Sequence, residues 1–326
     1  MVKTKSTTTS LPSRALVIGG AGFIGSNLCK LLLKLECKVV CLDNLITGKV
    51  SNIESILSND RFQFIEGDIR DCCVINSLPN DIDYVINLAG IASPKWYAKF
   101  PIDTLMTSVL GVYNILQYCV QYKLPLIHAS TSEVYGDPIY DELYEEYNGN
   151  VSCLGPRACY DEGKRAAETL CRDFTRINDL DVKIIRIFNT YGPFMAHRDG
   201  RAIPEFINCA LRNEDIVIYG NGNQTRSFQY IDDLLDAIIR LMQCQEKITS
   251  PINIGNPYEE YSINDLANII LELTGSKSKI IYHEELLDDP RKRRPNISKA
   301  ISFLAWEPKV DIIKGLLETI NYFQEK

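Results

Sequence analysis

Tyr160 and Lys164 stand four residues apart, so on a helix they share one face about a turn from each other. An ammonium beside a phenol lowers the phenol's pKa and makes it a proton acceptor. Upstream, Ser130-Thr131-Ser132-Glu133-Val134-Tyr135-Gly136 sets hydroxyls and a carboxylate in one row. Such groups at the C-terminal end of a strand point into the crevice where open α/β sheets bind ligands. A third feature is the loop Gly19-Gly20-Ala21-Gly22-Phe23-Ile24-Gly25, which follows an apolar run and opens a helical pattern. Gly19 permits a tight turn, Gly22 lets the backbone approach a pyrophosphate, and Gly25 lets the helix pack close to the sheet. The helix N-terminus then offers free N–H groups and a partial positive charge to phosphates.

Asp43 ends the next strand, 18 positions beyond Gly25. A carboxylate there accepts hydrogen bonds from the adenosine ribose 2′-OH and repels a 2′-phosphate, which predicts NAD rather than NADP. Asp68-Ile69 follows the third strand, within reach of an adenine, and Leu88-Ala89 follows the fourth. Together these features describe one reaction type. Tyr160 is expected to take a proton from a sugar hydroxyl as hydride leaves for nicotinamide, and Lys164 to hold the nicotinamide ribose.

Those residues need a scaffold. Ala15–Ile18, Lys38–Leu42, Phe62–Ile65, Tyr84–Leu88, Leu124–Ala129 and Lys183–Phe188 are short apolar runs of strand length. Helical spacing occupies Leu28–Leu35, 103–122 and 161–178. The alternation predicts an α/β fold, a Rossmann-type doubly wound parallel sheet with a smaller C-terminal substrate-binding lobe. Residues 1–13, rich in Thr, Ser and Lys, are expected to be a disordered lead-in. Residues 14–188 are expected to form the NAD-binding domain. Residues 189–326 are expected to form mainly the second lobe, with some segments returning to the first domain.

Composition limits the alternatives. The chain has 326 residues, 45% hydrophobic and 24% charged, as a globular protein does. A net charge of −7 argues against a nucleic-acid partner. No run of 18 apolar residues predicts a membrane span. The 11 Cys and 3 His show no zinc-like grouping, so no metal is expected. The cysteines read as reduced, mostly buried small hydrophobes in a cytoplasmic setting.

From about Arg14 onward the chain resembles the extended short-chain dehydrogenases/reductases that act on nucleotide sugars, the NAD-dependent epimerase/dehydratase family. Within that family it is most similar to the UDP-glucuronate decarboxylases, or UDP-xylose synthases. The resemblance is carried by Ser130–Pro138 (STSEVYGDP), Gly155–Arg165 (GPRACYDEGKR), Arg186–Gly192 (RIFNTYG) and Asp199–Arg201. Gln224–Tyr230 (QTRSFQY), Asn253–Pro257 (NIGNP) and Asp288–Lys299 (DDPRKRRPNISK) extend it. It implies that Tyr160 is the base at the sugar C4, assisted by Lys164. It sets Thr131, Ser132 and Glu133 against the sugar, the last two handling protons and ring position. It adds Phe23, Ile24, Asn44 and Thr107 to the NAD-binding set. Asn189, Arg201, Tyr219, Arg226 and Arg293 would contact the UDP-sugar, with Arg293 also assisting at C5. NAD would be regenerated within each turnover, and the protein would be a homodimer.

Two departures fall on the sugar side. The loop Ala89-Gly-Ile-Ala-Ser-Pro-Lys-Trp-Tyr97 differs from the family in its first half, and Met106 stands where the family often has Lys. Rival readings are a nucleotide-sugar 4,6-dehydratase, which places Asp where this chain has Ser132, and a 4-epimerase, which usually lacks Glu133. A non-catalytic NAD-dependent sensor has no need of the Tyr160/Lys164 pair.

Overall fold

A computed structural model describes residues 10–284 and 293–325. The expectations for residues 1–9 of the lead-in and for the Asp288–Lys292 part of the last motif lie outside the described residues.

The central sheet has seven strands: β1 (Arg14–Ile18), β2 (Lys38–Asp43), β3 (Phe62–Glu66), β4 (Tyr84–Asn87), β5 (Leu126–Thr131), β6 (Val182–Ile187) and β7 (Ile252–Ile254). Their order is β7-β6-β5-β4-β1-β2-β3, every neighbour pair parallel. The order reverses between β1 and β4, and a ligand crevice opens at the strand C-termini there. Continuous apolar runs form these strands because both faces are covered. Ala15 and Val17 of β1 join the core on one face, while Leu16 and Ile18 join the core on the other.

Three helices matter most for the site: α1 (Phe23–Lys34), α2 (Val112–Tyr122) and α3 (Ala158–Asn178). The buried stripe of α3 includes Tyr160, Lys164, Ala167, Cys171 and Thr175. Their three- and four-residue spacing turns one face to the sheet. The single helix expected over 103–122 is instead Pro101–Met106, a π-turn at Thr107–Gly111, and then α2. Close packing accompanies that widened turn, for a Cβ on Gly111 would lie 2.5 Å from Ile69 Cδ1. β7 was not anticipated as a strand of this sheet; three residues are too few for a periodic signal.

Beyond β6 the chain makes short two-stranded pairings. Thr190–Tyr191 pairs with Gln229–Tyr230, Thr225–Ser227 with Glu260–Ser262, and Ile216–Tyr219 with Ile280–His283. All cysteines are free, but only five are buried, namely Cys29, Cys37, Cys41, Cys119 and Cys171. Among the described residues, no helix is long and apolar enough to cross a membrane.

Candidate active site

The glycine loop runs from the end of β1 into α1 along the cavity at the sheet's C-terminal edge. Gly19 has φ +75°, and its N–H donates to Leu42 O at 2.8 Å. A Cβ there would lie 2.9 Å from Ala89 N, so only glycine fits the turn. Gly25 sits against the backbone of Gly19 and Gly20, which brings α1 down onto the strand. A Cβ on Gly22 would meet only Gly19 O, at 3.2 Å, so its outer side is open. Gly22 caps α1 with extended backbone and no side-chain hydrogen bond. A backbone cradle of this form suits a pyrophosphate.

The other expected cofactor contacts gather on the same cavity. Phe23, Ile24, Asn44, Ile69, Leu88, Ala89 and Thr107 line it together with Asp43. Asp43 is 8% exposed; Oδ2 accepts from Ala21 N and Oδ1 from Leu45 N, both at 2.9 Å. Burial raises its pKa, and those two N–H groups oppose the rise. Asp68 stands back from the lining. Burial would raise it, but the Arg70 ion pair at 2.8 Å and the Asn44 amide at 2.8 Å hold it down to about 2. Asp68 therefore orients Asn44, which lines the cavity.

The acid–base group lies deeper, under the segment Ala89–Phe100. β5 ends at Thr131, and Ser132–Tyr135 makes a 3₁₀ turn whose Glu133 N–H donates to Thr131 Oγ1 at 3.3 Å. Thr131 also hydrogen-bonds Tyr160. The Tyr97 ring stacks on Tyr160 at 5.6 Å between centroids, with planes 10° apart. Burial pushes Tyr160 up to about 12, while the Thr131 hydrogen bond and the Arg201 charge pull it down. Lys164 donates to Ala129 O at 2.7 Å, and burial brings it down to about 8. The expectation that Lys164 lowers the Tyr160 pKa is therefore corrected. The ammonium is turned to a strand carbonyl, and the groups that lower the phenol are Thr131 and Arg201.

Glu133 lies between two guanidinium groups. Its carboxylate pairs with Arg293 and with Arg157, and Arg293 is 3% exposed. Arg157 was missed as a site residue. It sits in the motif Gly155–Arg165, but nothing in its spacing ties it to a glutamate 24 positions earlier. Ser132, 2% exposed, lies beside Glu133 in the turn.

The remaining expected residues are spread more widely. Arg201 lines the cavity and grips Asp199 through Nε and Nη2, both at 2.5 Å. Among the described residues, no hydrogen-bond partner meets the buried side-chain nitrogen of Asn189. Arg226 is 9% exposed, with Nη1 donating to Thr225 O at 2.9 Å. Tyr219 is 45% exposed and packs edge-on to His283, away from the cavity lining. Met106 ends the Pro101–Met106 helix and also lies outside the lining, next to Thr107, which is part of it.

The loop that departs from the family, Ala89–Tyr97, closes over the site. Ser93 Oγ donates to Asp199 O, and Trp96 reaches the cavity wall. Sequence patterning carries no signal for this closure, because its two sides are about a hundred residues apart. Outside the site, Asp71, Cys72 and Cys73 bring possible metal-ligand atoms within 4.8 Å of one another on the surface. This grouping was not anticipated; the Asp71 carboxylate already caps a short helix by accepting from Cys73 N.

Known proteins match this arrangement over most of its length. Residues 15–255 match the model of the NAD dependent epimerase/dehydratase family. UDP-glucuronic acid decarboxylase 1 of Xenopus tropicalis is 43% identical over 313 residues, 96% of this chain and 72% of that protein. UDP-glucuronic acid decarboxylase 3 of Arabidopsis thaliana is 44% identical, covering 93% and 86%. The UDP-glucuronic acid 4-epimerase of Bacillus cereus, solved with UDP-glucuronic acid and NAD, superposes with a TM-score of 0.86 at 31% identity, covering 96% and 99%. A dTDP-glucose 4,6-dehydratase of Streptomyces venezuelae, solved with NAD, superposes at 0.88 with 26% identity, covering 96% and 97%. With the glycine cradle, the Tyr160/Lys164 helix and the parallel sheet in place, the chain belongs to the NAD-dependent epimerase/dehydratase family.

Proposed function

We propose that this chain decarboxylates UDP-glucuronate to UDP-xylose, with NAD as a resident cofactor regenerated in each turnover. The observation that carries the reading is Glu133 held between Arg157 and Arg293, one turn away from the Thr131–Tyr160 hydrogen bond. Relatives that match over nearly the whole chain bear the name UDP-glucuronic acid decarboxylase.

The cavity residues fit a dinucleotide: Gly19, Gly22 and Gly25 leave room for the pyrophosphate, and Asp43 stands ready for the adenosine ribose. When bound there, NAD supplies reversible oxidation at C4 of the sugar. Tyr160 accepts the C4 hydroxyl proton and later returns one, with Thr131 fixing the phenol. Lys164 holds the nicotinamide ribose, while Thr131 and Arg201 favour the phenolate. A ketone at C4 makes the C5 carboxylate β to a carbonyl, so loss of CO2 leaves a carbanion delocalised as an enolate. Arg293 and Arg157 sit where a sugar carboxylate would be drawn, and Glu133 with Ser132 manages protons and ring position at C5. Asn189, Arg201 and Arg226 anchor the UDP moiety, guanidinium forks matching its diphosphate oxygens, and Tyr219 serves the uracil end.

The dehydratase reading needs a proton donor for the C6 hydroxyl, and Ser132 is a poor acid. A homodimer is supported by the apolar side chains exposed around Pro101–Tyr113, namely Ile102, Leu105, Met106, Leu110 and Tyr113. Free cysteines throughout favour a reducing, cytoplasmic setting. Incubation with UDP-glucuronate is expected to release CO2 and UDP-xylose. No turnover there, with a 4-keto-6-deoxy product from UDP-glucose, would overturn the proposal; loss of activity on every nucleotide sugar with NAD still bound would favour the sensor.

A further inference from the structure

Tyr160, Lys164 and Glu168 follow one another at four-residue steps on α3, and the third has no part in the chemistry above. The Glu168 side chain is 13% exposed, and it ties three elements together. Oε1 accepts from Ser130 Oγ of β5 at 2.5 Å and from Arg186 Nε of β6 at 2.9 Å. Oε2 accepts from Arg186 Nη2 at 2.8 Å. Arg186 is anchored in turn, donating to Glu145 O at 3.0 Å and lying 4.7 Å over the Tyr135 ring. Ser130 directly precedes Thr131, so the tie holds the strand end from which Thr131, Ser132 and Glu133 project.

Glu168 also acts on Lys164. The ammonium is 4% exposed and hydrogen-bonds one neutral carbonyl, that of Ala129. Burial disfavours its charge, and Glu168 opposes that effect. Cys171 opposes the effect of burial as well, ahead of Glu168, and His128 also lies nearby. His128 of β5 is fully buried; burial, with Lys164 second, holds the imidazole neutral. Burial pushes the Cys171 thiol, further along α3, well up and keeps it protonated. Arg186 of β6 pairs with Glu168 at 2.8 Å.

We propose that Glu168 is a positioning residue for the reaction, supporting the Lys164 ammonium with its charge and fixing the Ser130–Glu133 strand end through Ser130 and Arg186. This rests on the role given above to Lys164. The test is a ¹³C NMR titration of the lysine Cε resonances in the NAD-loaded protein without any sugar, Lys164 being assigned by its loss in Lys164→Arg. Glu168→Gln is expected to lower the Lys164 midpoint by about one pH unit, a tenfold change in proton affinity. Glu168→Asp, which keeps the charge, should retain the midpoint while weakening NAD binding severalfold. The alkaline limb of the pH–activity profile should move with the midpoint in Glu168→Gln, whereas a purely structural loss lowers the whole profile in place.

An unmoved midpoint in folded Glu168→Gln overturns the proposal. Should that variant fail to fold, Ser130→Ala frees one carboxylate oxygen without changing any charge, and the midpoint should rise by a few tenths of a unit; no rise is equally fatal. The titration needs no substrate, so a failure here is distinct from a failure to turn over UDP-glucuronate.

Discussion

The two halves of the site are built from opposite materials. The cofactor cradle is almost all backbone, with Gly19, Gly22 and Gly25 shaping a loop and the start of α1 left without a side-chain cap. The sugar side is almost all buried side-chain charge, with Glu133 between Arg157 and Arg293, and Lys164 under the sheet edge beside the Glu168–Arg186 pair. A backbone site is rigid because its shape is the turn itself. A site of buried charges holds only while every partner is present, since each unpaired ion would cost several kcal/mol, on the order seen for broken buried pairs.

The contrast can be broken or sharpened by substitution. The largest effect is expected on the sugar side. Tyr160→Phe removes the proton acceptor and should lower UDP-xylose formation by about 10²–10⁴-fold, while a direct NAD titration finds affinity little changed. Near-normal turnover in that variant would refute the role of Tyr160 and with it the division of labour. Next comes the cradle. Gly25→Ala drives a Cβ into the Gly19 and Gly20 backbone. It should cost about 1–3 kcal/mol of stability and weaken NAD at least about tenfold. Thermal unfolding with and without NAD reads both losses, and an unaltered melting curve would show that the loop yields where we describe it as rigid. The smallest effect is expected at Asp43, whose carboxylate accepts from the Ala21 N–H of the cradle. Asp43→Ser removes a charged hydrogen-bond acceptor, so NAD should weaken by about tenfold and its advantage over NADP should narrow. Competition binding of the two dinucleotides tests this, and an unchanged preference would remove Asp43 from the ribose.

How legible each half was follows from how it is built. The cradle could be read as spacing along a short stretch, because a turn, a helix start and the next strand end are local events. Asp43 and Ile69 were legible for the same reason, each ending or following a strand that the apolar runs marked. The partners of Asp68, Arg70 and Asn44, were not legible, because no spacing encodes which groups meet its carboxylate. The sugar side was legible only as motifs whose members had to be joined. Arg157 and Arg293 approach Glu133 from positions 24 and 160 residues away. The cover that Tyr97 and Ile91 form over Tyr160 had no signal at all, since stacking across a closed loop leaves no period in the sequence.

What the amino-acid order determined by itself is therefore six of the seven strands of the sheet, the glycine turn, the Tyr160/Lys164 face of α3 and the resemblance carried by its motifs. Each depends on neighbours within a turn or a strand, where covalent connection already holds the residues close. Only the tertiary structure decided which charges meet: Glu133 with Arg157 and Arg293, Glu168 with Ser130 and Arg186, and Lys164 with a strand carbonyl rather than with Tyr160. Those pairings form because burial strips water from each ion and leaves it to find the partner that packing brings within reach.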